Sequence, residues 1–98
     1  MRWIAIFEDP PSMYEVRAQY GQAHLDYLQQ HQDEILLGGG LREAEDTPVY
    51  CGGMWVFGAV SRARAEQLIQ NDPYFVHGNR RYRLLYWGKA FADVMVTL

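Results

Sequence analysis

His24 and Asp72 are the two residues of this sequence whose types are best suited to doing chemistry together. Histidine exchanges protons in either direction near neutral pH, because its unperturbed pKa is about 6.5. A histidine base also needs a partner that fixes its tautomer, and a carboxylate accepting from one ring nitrogen supplies that. His24 lies on a helical apolar face beside Ala23 and the Tyr27-Leu28 pair, and Asp72 stands directly before Pro73. Proline disfavours helix in its predecessor, so the Asp72 carboxylate is held at a junction rather than along a helix. The same residues also describe a hydrogen-bonded core histidine and an aspartate that only ends a helix, and taken alone they leave both readings open.

Other chemistry is poorly supported. No serine, cysteine or lysine stands in a motif for covalent catalysis. Gly38-Gly39-Gly40 lacks the spacing and the lysine of a nucleotide-phosphate loop; an unusual turn or a close backbone approach near a cleft is the better expectation. His24 and His31 share a helix face, but seven residues set their backbones roughly 10.5 Å apart, too far for one metal without a third ligand near either. His77 is expected in an exposed turn before the last strand, and Cys51 has no activating neighbour. No cofactor and no metal is expected.

These groups must be positioned by a chain of 98 residues, short enough for one core and one domain over 1–98. The single cysteine excludes an internal disulfide and fits a reducing, cytoplasmic setting. The first apolar run is cut off by Glu8 and Asp9, too early to span a membrane or to read as a signal peptide. The net charge of −3 is unevenly spread: residues 1–49 hold three basic and nine acidic side chains, residues 50–98 six basic and three acidic ones. Arg62, Arg64, Arg80, Arg81 and Arg83 supply most of the positive half, as solvated surface or as contacts for a small anionic or phenolic ligand. This is not the dense basic surface of a nucleic-acid binder.

Residues 2–8 read as a strand stopped by Asp9-Pro10-Pro11. Ser12, with Glu15 in the capping-box place, starts a helix whose inner face is Met13, Val16, Tyr20, Ala23, His24, Tyr27, Leu28 and His31, with Gly21 a possible break. Ile35 to Leu41 is a second strand and Gly53 to Val60 a third. Ser61 caps a second helix to about Gln70 with Ala65, Leu68 and Ile69 inward, and Arg80 to Trp87 is the fourth strand. The order predicts an α+β, ferredoxin-like βαββαβ fold: a four-stranded antiparallel sheet with two helices on one face. Both parities of the first, third and fourth strands carry large apolar side chains, so the second face needs a cover. A homodimer packed sheet to sheet is the simplest, a monomer with a broad ligand groove the alternative. The tail 88–98, apolar from Phe91 to Leu98, is expected to pack against something, the dimer interface included.

The run His24-Leu25-Asp26-Tyr27-Leu28, the Gly38-Gly39-Gly40 strand end, the Gly53 to Val60 strand and above all Asn71-Asp72-Pro73-Tyr74 resemble the YciI-like, or YCII-related, family over nearly the whole chain. The resemblance implies a dimeric α+β barrel and a cleft with a His-Asp dyad, falling here on His24 and Asp72. It implies proton transfer on a small oxygenated ring, since one branch removes chloride from chlorinated hydroxyhydroquinones. Tyr74 becomes a phenolic wall, and Gly39, Gly40 and Arg80 candidate substrate contacts. Gly40-Leu41 stands where many relatives carry Gly-Pro, which bears on loop shape and substrate choice. The leading expectation is a cofactor-free lyase or isomerase-type acid-base enzyme; a noncatalytic small-ligand binding or accessory dimer is the alternative, and a purely structural dimer the third reading.

Overall fold

The computed structural model describes residues 2–95. Seven elements follow in order: β1 (Arg2–Glu8), α1 (Met13–Gln30), β2 (Ile35–Leu41), β3 (Gly52–Phe57), α2 (Arg62–Gln70), α3 (Pro73–His77) and β4 (Arg81–Trp87). All pairings are antiparallel and the sheet order is β2-β3-β1-β4, the ferredoxin-like arrangement expected. No described helix is long and apolar enough to cross a membrane.

The core lies on one face. Ala5 and Phe7 of β1, Trp55 and Phe57 of β3, and Ala65, Leu68 and Ile69 of α2 form it, with Tyr27 and Leu28 of α1 packed against them. Strand side chains alternate between faces. Ile4, Ile6, Met54, Val56, Leu37 and Leu85 therefore look away from the helices, and the ladder sets them side by side. Leu37 is 52% exposed and Leu85 37%, so the second face carries uncovered apolar surface.

Several boundaries differ from the sequence reading. β3 stops at Phe57, whose partner Ile35 opens β2; beyond it Gly58 N–H turns to the carbonyl of Glu34. Gly21 does not interrupt α1, and Ala23 points to solvent. Ser12 is itself helical and makes no side-chain cap, because the first turn is closed by Met13 and Tyr14 N–H donating to the carbonyls of Pro10 and Pro11. Ser61 does cap α2, accepting from Arg64 N–H at 3.1 Å. The glycine triplet is extended strand with no positive φ, so the expected unusual turn is absent and only the close approach remains. A short helix, α3, replaces the expected turn after Asp72. Proline at its first position needs no amide partner, and Phe75 and Val76 N–H both donate to the carbonyl of Asp72. Of the tail, Phe91 and Met95 are exposed, and residues 96–98 of the expected apolar run lie outside the described residues.

Candidate functional site

The ladder pairs Glu8 with both Gly52 and Arg81, and Leu41 with Gly52. One end of the sheet thus gathers the ends of β1 and β2 and the starts of β3 and β4. Gly52 has no room for a side chain there, because a Cβ would overlap the carbonyl of Phe7. α2 runs back to the same end. The Tyr27 hydroxyl of α1 donates to the carbonyl of Leu68 at 2.7 Å, satisfying an acceptor in the last turn of α2 and tying the two helices together. Burial, with the Asp72 charge behind it, pushes that phenol up to about 12, so it remains a donor.

One helical turn before Tyr27, His24 meets Asp72: Nδ1 lies 2.7 Å from Oδ1, with side-chain exposures of 12% and 0%. Asp72 is the residue before α3, yet its side chain caps nothing, because it is turned to the imidazole. The His24 ring stacks on Tyr74, centroids 3.8 Å apart and planes 6° from parallel. With Nδ1 held by a carboxylate acceptor, the tautomer favoured is Nδ1–H, which leaves Nε2 as the basic nitrogen. Nε2 makes no hydrogen bond to any described residue and is not sealed from solvent.

Behind the pair lies a layer of buried charge. Arg80 donates from Nε and Nη2 to both oxygens of Asp9 at 2.9 and 3.0 Å, with side chains only 2% and 1% exposed. Its Nη1 stands 3.8 Å from Asp72 Oδ2, a buried oxygen with no hydrogen bond among the described residues. Arg17 adds Nη2 to Asp9 at 2.6 Å and to the carbonyl of Gly52 at 3.1 Å. Burial by itself would raise the Asp9 carboxyl, but hydrogen bonds and charge from Arg80, then Arg17, outweigh it and hold the acid below the usual aspartate value. Burial likewise pushes the Tyr74 phenol up, ahead of the opposing charge of Arg17.

Among the residues expected at the site, His24, Asp72, Tyr74 and Arg80 come together. Arg80 differs in kind from the expectation: its guanidinium is sealed against Asp9, so it supports Asp72 instead of facing a ligand. Gly40 acts through a neighbour, since a Cβ there would overlap the Tyr50 ring; Gly39, on the uncovered face, has nothing within 4 Å of a Cβ and does not join the group. Arg62 pairs with Glu66 and Arg64 with Glu34, away from the pair. His77 is exposed as expected, but it ends α3 and stacks on Tyr20 at 3.8 Å. No group of three His, Cys, Asp or Glu among the described residues could hold a metal. A groove of about 370 Å³ between α1 and β2, lined by Leu28, Leu36, Leu37 and Gly38 among others, has no ionisable wall and lies away from His24.

Sequence reasoning missed Asp9, Arg17 and Tyr50. Arg17 was findable: with Gly21 and His24 it falls at steps of four and three, on one face of α1.

The YCII-related domain matches residues 1–88, and the chain belongs to that family. No curated protein matches it. Among solved structures, the chain is similar to 5-chloro-2-hydroxyhydroquinone dehydrochlorinase from Burkholderia phenoliruptrix, determined in complex with 2,5-dihydroxybenzoquinone. The TM-score is 0.78 at 24% identity, over 90% of this chain and 94% of that one. The two share the fold.

The depressed acid of Asp9 fixes a pH dependence. A carboxyl whose pKa is lower folded than unfolded adds stability above the unfolded value, about 4, and that stability is lost as pH falls from there through the folded value. Urea unfolding followed downward from pH 7 is expected to show this loss setting in below about pH 4. Asp9→Asn should lack that component and start roughly 3–5 kcal/mol less stable at pH 7, because Arg80 is left buried without its partner. Equal stability of the two proteins at pH 7 would contradict the assignment.

Proposed function

We propose that the protein is a cofactor-free acid-base enzyme of lyase type, removing the elements of an acid HX from a small hydroxylated aromatic ring. The observation that carries this reading is the 2.7 Å contact between buried Asp72 and His24 Nδ1, which leaves Nε2 available in a ring that keeps some solvent access. A carboxylate so placed fixes the tautomer and stabilises the imidazolium that forms when Nε2 takes a proton. Tyr74, kept protonated by burial, is a wall and a hydrogen-bond donor beside it. Kinship with a fold of which one solved example is a dehydrochlorinase of a hydroxyhydroquinone supports the choice of substrate class.

The proton balance suits one histidine. Eliminating HX from a polyhydroxylated ring to give a quinone removes two hydroxyl protons, returns one to the carbon that bears X, and expels X with its bonding pair. His24 Nε2 carries a hydroxyl proton to that carbon; loss of the second hydroxyl proton then drives the halide out. No oxidant is consumed, because the ring's hydroxyl electrons leave with X.

The working unit in this proposal is a homodimer that covers the apolar face of Ile4, Ile6, Met54, Val56, Leu37 and Leu85 with the same face of a second copy. Light scattering after gel filtration is expected to give twice the mass of one chain, and Leu37→Asp to shift the protein toward monomer; a native monomer at micromolar concentration would refute the dimer.

For the reaction, chloride release from 5-chloro-2-hydroxyhydroquinone is the assay. His24→Asn and Asp72→Asn, folded by circular dichroism, are expected to lose about 10²–10⁴-fold in kcat, the usual worth of a positioned acid-base group. Full activity in His24→Asn would sink the reading. A native protein that binds the compound without releasing chloride would make it a binding protein.

A further inference from the structure

Arg17 differs from the other arginine of the site in keeping part of its side chain open to solvent. A guanidinium carries five N–H groups. Both on Nη2 are used, on Asp9 and the carbonyl of Gly52; Nε is buried, and neither it nor Nη1 has a partner in hydrogen-bond geometry among the described residues, although the Tyr74 hydroxyl stands near enough for Arg17 to act on it. Nη1 is not sealed from solvent, and the side chain keeps 20% exposure against 2% for Arg80. Its guanidinium carbon lies 4.5 Å from the centre of the Tyr50 ring and 5.2 Å from that of Tyr74, the ring on which His24 stacks. Between Arg17 and His24 on α1 stands Gly21, where a Cβ would touch the Tyr74 hydroxyl at 3.5 Å. The phenol therefore rests against bare helix, between the arginine and the histidine.

Charge points the same way. Asp9 is shared by two arginines, so these three groups carry a net positive charge; Asp72 balances it while His24 is neutral. A ligand hydroxyl that hands its proton to His24 creates a cation beside Asp72 and an oxyanion that needs a cation of its own. Arg80 is covered by Asp9, whereas Arg17 has donors to spare beside the Tyr74 ring.

We propose that Arg17 is the oxyanion anchor of the cleft: it selects planar rings bearing an ionised oxygen, which lie among Tyr50, Tyr74 and the Arg17 guanidinium. This deepens the acid-base reading of the same site and rests on it for the role of His24. Binding does not depend on turnover, and so the two can be tested apart.

The probe is 4-nitrocatechol, whose ionised form is yellow, titrated spectrophotometrically near its own pKa, with neutral catechol measured by calorimetry. The native protein is expected to bind the ionised form at least tenfold more tightly than the neutral one, moving the probe's apparent pKa down by a unit or more on saturation. Arg17→Gln should lose that preference about tenfold while its affinity for catechol changes less than threefold, which a merely structural role would not produce. Arg17→Lys keeps the charge but not the planar fork and should fall between. It decides the matter if Arg17→Gln does not fold: an undiminished preference overturns the proposal. So does a native protein that binds neither probe, or both forms equally, or an Arg17→Gln protein that keeps the preference. His24→Asn is expected to retain the preference for the ionised probe. A native protein with that preference but no chloride release would sink the reaction and leave the anchor standing.

Discussion

Taking Asp9 and Arg80 out of water at one end of a small sheet is costly, since each buried ion loses several kcal/mol of hydration before any contact is made. The two-pronged contact between them repays it by closing a long-range junction: Asp9 follows β1, Arg80 precedes β4, and they lie 71 positions apart in the chain. Every other feature of the site leans on that junction. Arg80 presents its remaining edge to Asp72, Asp72 turns to His24 instead of capping α3, and Arg17 reaches Asp9 from α1. The catalytic candidates belong to one charge lattice whose buried members fix the position of those that keep a little solvent access.

That lattice explains why two charged pairs sit so close without canceling the site's reactivity. Arg80 is shut away from solvent and only steadies the carboxylate; Arg17 and His24 retain unspent polar groups toward solvent. The aromatic rings divide the space between them. Tyr74 stacks on the imidazole, and Tyr50 lies where Gly40 leaves the strand without a side chain. The glycine at the end of β2 thus shapes the site without touching a ligand itself.

Much of the fold could be read from the sequence because it depends on local rules. The span of β1, the Asp9-Pro10-Pro11 stop, the inward Ala65, Leu68 and Ile69 and the serine cap at Ser61 all hold in the structure. Pairing of His24 with Asp72 was also accessible, since both helices were expected on one side of the sheet. Missing were the features set by strand adjacency. β1 beside β4 follows from the expected topology, and antiparallel pairing of Glu8 with Arg81 puts Asp9 beside Arg80, yet Asp9 reads locally as a turn residue and Arg80 as a ligand contact. α3 was hidden because an Asp-Pro step serves equally as a turn or as a helix start. Ser12 failed as a cap because two prolines before it already offered their carbonyls.

The most direct test of this account is the protonation pattern of the His24 ring, read from ¹⁵N chemical shifts of selectively labelled protein above the pH at which the ring is neutral. The proton is expected on Nδ1, facing Asp72, with Nε2 bare and free to act as a base. In Asp72→Asn that preference should weaken or reverse, because an amide can offer its N–H to Nδ1 instead. A neutral His24 carrying its proton on Nε2 in the native protein would contradict the account, for the nitrogen assigned to the chemistry could not then accept a proton.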